Sequence, residues 1–202
     1  MSDKSPVTPF SGEAITVSWD RRLCIHVAEC GRADNALFEG GRKPWCQPDL
    51  VSLEEAVEVV HRCPTGALSY ERADGQPEPT PSENRVAIAN SGPLYVTGDL
   101  EVDGADADMP GVRTRVALCR CGLSKNKPFC DNSHEGGAFV DRGAVGSTGA
   151  PLAETGGPLK IQRAKNGPLL LSGNITIVNP AGRVAWQGTK AALCRCGKSK
   201  NK

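Results

Sequence analysis

The chain has 202 residues, and its 24 Lys and Arg against 23 Asp and Glu give a net charge of +1. No overall field therefore recommends nucleic acid or a membrane surface as a partner. Aromatic residues make up 4% while Gly numbers 23 and Pro 15; this is too little bulky apolar material for one large core and predicts several small units held by staples.

Nine cysteines are available as staples. No apolar run approaches the length of a membrane span, and the first thirty residues lack a secretory h-region and cleavage site. Reduced, metal-bound thiols in a cytoplasmic protein are expected rather than disulfides.

In chain order, residues 1–13 are polar and broken by Pro6, Pro9 and Gly12, and read as an irregular arm. Ala14 to Trp19 alternates, with Ile15, Val17 and Trp19 on one face, which predicts a half-buried strand. Cys24 and Cys30 follow in C-I-H-V-A-E-C. Ser52 and Glu55 form a capping box that opens a helix of about ten residues, with Leu53, Ala56, Val57 and Val60 inward. Cys63-Pro64 comes next, and Ala67 to Glu71 reads as a closing strand. Residues 72–85, rich in proline and charge, read as an extended linker.

Residues 14–71 resemble half of a bacterial-type ferredoxin, whose cluster run is C-x2-C-x2-C with a distant Cys-Pro. Cys24, Cys30 and Cys63 occupy the first, third and last ligand positions, and Val27 stands where the second belongs. The closest likeness is to divergent single-cluster ferredoxin domains. The resemblance implies a [3Fe-4S] cluster on those three thiols, or a [4Fe-4S] cluster if Cys46 supplies a fourth. Cys46 also reads as a packed thiol beside Trp45. His26 and His61 read as surface or core imidazoles, not ligands.

From Gly92 the sequence repeats at an offset of 75. Residues 92–127 and 167–202 agree at 15 of 36 positions, which marks a repeated structural unit. Each copy opens on Gly-Pro turn chemistry and alternates like a strand before reaching C-R-C-G. In the first copy Cys119, Cys121, Cys130 and His134 place four metal-ligand side chains in a segment too poor in apolar residues to pack unaided. A bound metal centre is expected to supply the missing folding free energy.

This segment, C-x-C-x2-S-x3-P-x-C-D-N-S-H, resembles the CDGSH iron–sulfur (mitoNEET-like) family and departs from it at Asn132, where Gly is usual. Asn tolerates a left-handed backbone better than most residues. The resemblance implies a [2Fe-2S] cluster with Cys119 and Cys121 on the inner iron and Cys130 and His134 on the outer. The alternative from ligand types alone is zinc, for which Cys3His is an accepted set. In the second copy Cys194 and Cys196 are two ligands of an incomplete tetrad. Either the natural chain continues past Lys202 or this site is vestigial, and the intact repeat favours continuation.

The sequence therefore predicts an α+β protein: arm 1–13, ferredoxin-like unit 14–71, linker 72–85, β-rich CDGSH-type repeats at 86–140 and 161–202, and a connector at 141–160. Tandem CDGSH repeats are expected to form a pseudo-two-fold within one chain, with dimerisation through that region as the other arrangement. No catalytic set is visible. The function expected is electron transfer with a redox protein or reductase, the ferredoxin-like centre feeding the CDGSH centre. A cluster donor or redox and pH sensor, and a zinc-stabilised interaction module, are the alternatives. Arg120, Lys125 and Lys127 are expected to form a basic rim for an acidic partner; Ser124 and Asp131, to hold the loop.

Overall fold

The structure is a computed structural model that describes residues 5–33 and 36–199. The first four residues of the expected arm and the last three of the second repeat lie outside the described residues. Strands β1 (Val7–Ser11), β2 (Ile15–Asp20) and β3 (Leu68–Arg72) form an antiparallel sheet in that order, and helix α1 (Leu53–His61) packs on β3. Ile15 and Val17 are buried as their alternation predicts. Ser52 caps α1 with the full reciprocal capping box to Glu55. Its buried face is Ala56, Val59 and Val60, while Leu53 and Val57 are only half-buried, so the helix is turned slightly from the face that periodicity suggests.

The arm is a correction. Residues 7–11 are a strand, not irregular chain, with Pro9 opposite Ser18. Proline lacks an N–H and is tolerated on an edge strand, where one side of the ladder is open. Phe10 anchors this strand edge-on to Trp45, 5.8 Å between ring centroids, beside Trp19 and Phe38.

The second sheet has seven strands: β4 (Arg85–Ile88), β5 (Leu94–Thr97), β6 (Asp99–Val102), β7 (Arg115–Leu118), β8 (Pro158–Arg163), β9 (Leu169–Val178) and β10 (Val184–Leu193). The order is β6-β8-β9-β4-β5-β7, with β10 also on β9. The repeat explains this order. Arg85 pairs in parallel with Thr176, and a shift of 75 residues converts that pair into Lys160 with Glu101. Each half lends a strand to the other, so the tandem repeats form one reciprocal sheet within the chain. β7 and β10 end at Leu118 and Leu193, immediately before C-R-C-G in each copy.

The two sheets share one continuous apolar core, and the linker is part of the joint. Glu78, within 72–85, pairs with the buried Arg115 guanidinium and lies 3.5 Å from His61. Arg115 also donates to the carbonyls of Val60, Cys63 and Leu68 in the first unit. Gly66 and Gly111 cross so closely that a Cβ on Gly66 would sit 2.5 Å from Arg115 O. The 141–160 connector is pinned as well: Ala150 N donates to Gln187 O, and Gln187 N to Thr148 O.

Candidate metal centres

β7 delivers the first C-R-C run directly from the sheet. Cys119 N donates to Pro128 O and Cys130 N to Ala117 O, closing the loop on the strand that launches it. Ser124 is buried; its hydroxyl donates to Phe129 O at 2.7 Å and accepts from Asn126 N. The Asp131 carboxylate accepts from Lys125 N and Ser133 N. These two side chains hold the loop in shape, the role expected of them. Asn132 has φ +69°, the left-handed conformation that glycine would take there without cost.

The four side chains fall into two pairs. Cys119 Sγ lies 3.8 Å from Cys121 Sγ, and Cys130 Sγ lies 3.5 Å from His134 Nδ1. Among the described residues no three His, Cys, Asp or Glu converge closely enough to chelate a single ion. Backbone amides of Leu123 and Asn132 point at Cys121 Sγ and Cys130 Sγ, both at 3.4 Å. Burial pushes the Cys130 thiol up to about 11, and raises Cys119 as well. Buried thiols whose anions are disfavoured become thiolates most readily on a cationic centre.

Arg120 departs from the expected basic rim. It is buried, donates to Gly92 O and Ala89 O, pairs with Asp141 and stacks 5.1 Å from the Phe139 ring. The arginine turns inward because it satisfies the carbonyls of the turn beneath the loop. Arg195 repeats this role on Gly167 O and Ala164 O. Only Lys125 and Lys127 of the expected rim are exposed.

In the second copy Cys194 Sγ lies 3.4 Å from Cys196 Sγ. Burial raises the Cys194 thiol, but amides of Cys196, Ser199 and Gly197 outweigh it and hold it below its ordinary value. The two C-R-C runs face each other across the pseudo-dyad. A Cβ on Gly122 would meet Cys196 O at 2.6 Å, and one on Gly197 would strike Cys121 O.

In the first unit, Cys24, Cys30 and Cys63 line one cavity of about 240 Å³. Burial raises the Cys30 thiol, and thiolate charge on Cys63 and Cys24 adds to the shift, as for three sulfurs gathered about one space. Thr65, also buried, has its hydroxyl 3.5 Å from Cys63 Sγ. Cys46 does not line this cavity. It is 1% exposed, bridged to Phe38, and burial pushes its thiol up to about 12. Its surroundings are those of the packed thiol. His61 faces Tyr70 and Glu78 instead of the cavity. His26 does line it, a residue that sequence reasoning set aside.

The loop bearing Cys24 also touches the other centre. Ile25 is buried against Ala117 and Cys130, with Val27 and Tyr95 packed on the same cluster. Burial raises the Tyr95 hydroxyl above its ordinary value, with charge at Cys130, Glu135 and Cys63 adding to the shift.

Known proteins divide the chain in the same way. Residues 10–73 match the family described as divergent 4Fe-4S mono-cluster, and residues 91–135 and 166–202 match the family described as iron-binding zinc finger CDGSH type. The uncharacterized protein YjdI of Escherichia coli K12 is 41% identical over 61 residues, 30% of this chain and 80% of YjdI; the O157:H7 protein matches equally. No solved structure matches.

Proposed function

Because the chain belongs to the iron–sulfur proteins that join a divergent 4Fe-4S mono-cluster domain to CDGSH-type iron-binding repeats, we propose that it is an electron carrier with two neighbouring centres and no catalytic activity of its own. Cys119, Cys121, Cys130 and His134 would hold a [2Fe-2S] cluster, their two close pairs matching one pair per iron. Cys24, Cys30 and Cys63 would hold a ferredoxin-type cluster in the cavity they line. Such clusters, when bound, exchange single electrons with little rearrangement.

The observation that carries this reading is the packing of Ile25 and Val27 on Cys130, Ala117 and Tyr95. Val27, at the sequence position of a lost ligand, contributes apolar surface to the joint. Ile25 and Val27 join the loop of the first donor set to Cys130 of the second, and the Arg115 hydrogen bonds to the backbone around Cys63 tie the first unit to β7. A rigid apolar contact would favour transfer because little around it must reorient when charge moves. Imidazole at His134 in place of thiolate makes its centre less negative and easier to reduce. The proposed direction is therefore from the first centre to the second, and then to an external redox protein.

Anaerobic potentiometry with EPR detection, on protein whose iron, sulfide and zinc are counted, tests the reading. Expected are two paramagnetic centres, the CDGSH centre at the higher potential, with magnetic coupling between them when both are reduced. Zinc without sulfide would leave a metal-stapled interaction module. A first centre of higher potential would reverse the proposed direction.

A further inference from the structure

The cavity of the first centre presents a donor that the cysteine pattern does not use. Three thiols line it, the second ligand position is a valine, and Cys46 is enclosed in the core beside the Trp45 aromatic group. We propose that His26 is the fourth ligand, through Nδ1, so that a [4Fe-4S] cluster sits on Cys24, His26, Cys30 and Cys63. This rests on the reading that the cavity holds an iron–sulfur cluster.

Two independent observations support the assignment. His26 lines the cavity with the three cysteines, and its Nδ1 lies 3.9 Å from Cys24 Sγ. The loop is also wound for it. His26 and Ala28 have φ of +56° and +64°, two left-handed residues with side chains in a run of three. Such conformations cost free energy and persist where surrounding structure or function requires them. Ile25 and Val27 line the cavity and also pack toward Cys130 and Tyr95, whereas His26 stands exposed at its mouth and is the imidazole among the lining side chains.

Nitrogen ligation changes the expected chemistry at this corner. A neutral imidazole in place of a fourth thiolate would leave the cluster one negative charge short and favour its reduction, so His26 would narrow the gap in potential that His134 sets between the two centres.

The test uses the full chain, reconstituted anaerobically, in a His134→Cys background that removes the other histidine ligand. Pulsed EPR of the reduced four-iron centre should show nitrogen hyperfine coupling that changes isotope pattern with 15N-histidine labelling. Mössbauer spectra should count four irons at this centre. His26→Ala should remove the coupling and convert the centre to [3Fe-4S]. His26→Cys should keep four irons without the coupling, which separates ligation from folding, and Cys46→Ser should change neither. A four-iron centre without histidine coupling, or one that persists in His26→Ala, overturns the assignment while leaving the cluster in place. No iron beyond that of the CDGSH centre overturns the assignment together with the reading beneath it.

Discussion

Thr65 is placed to tune the proposed first centre. It is buried with its hydroxyl 3.5 Å from Cys63 Sγ, while its oxygen also accepts from Ala67 N. Toward a thiolate the hydroxyl is the donor, and a hydrogen bond to cluster sulfur stabilises the more negative, reduced form. Thr65→Val removes one bond worth about 1 kcal/mol, of which the part gained on reduction counts, and should lower the potential by at most about 40 mV, measured by EPR-monitored titration. Ser124→Ala in the other loop removes a donor to Phe129 O and an acceptor for Asn126 N. With both groups buried or nearly so, the loss should cost about 1–3 kcal/mol and speed the decay of visible absorbance on warming. Ser124 and Asp131 were legible in the sequence because loop-bonding side chains at a tight wrap have few other roles. Arg120 was not, because a guanidinium's direction depends on carbonyls brought near it by distant turns.

At the scale of elements, β7 organises the molecule. Arg115 at its start holds the Cys63 carbonyl of the first unit, and Leu118 at its end runs into Cys119 of the second. Beside it, Gly66 and Gly111 bring two backbones into contact. Gly111→Ala places a methyl group against the Gly66 carbonyl, where neither backbone can yield cheaply. The expected cost is about 1–3 kcal/mol, read as a lower urea midpoint, and the two centres should lose magnetic coupling before either loses iron. The helix was legible because Ser52, Glu55 and the apolar spacing act within one short segment. β1 was hidden because its partner β2 and its anchor Trp45 are what make Val7–Ser11 a strand; Pro9 alone argues against one.

For the whole molecule, the joint between the units depends on protonation of Glu78. Burial pushes this carboxyl up, but the His61 hydrogen bond and the Arg115 charge outweigh it and hold the group below the usual carboxylate range. A carboxylate whose folded value is depressed contributes stability above its unfolded value of about 4.3 and loses it as pH falls through the lower folded value. The joint should thus remain intact at neutral pH and loosen only below about pH 4. Glu78→Gln should cost about 1.5–3 kcal/mol of stability at pH 7 for hydrogen bonds to a charged group, read as a lower urea midpoint. The difference from the unaltered chain should shrink as both are taken to pH 3. If it stays constant, the carboxylate charge does not hold the joint.

The sequence by itself determined the two cysteine-bearing families and the repeat, because cysteine and histidine spacing, turn residues and a fixed offset of 75 are properties of the chain read locally. Only the tertiary structure decided that the two halves exchange strands, that Cys46 packs against Phe38 away from the cavity, and that His26 lines it. It alone brought Ile25 onto Cys130 and Glu78 onto Arg115. These contacts join residues tens of positions apart, and which of many such pairs form is set by burial and backbone hydrogen bonding summed over the whole fold, a quantity that no single stretch of sequence contains.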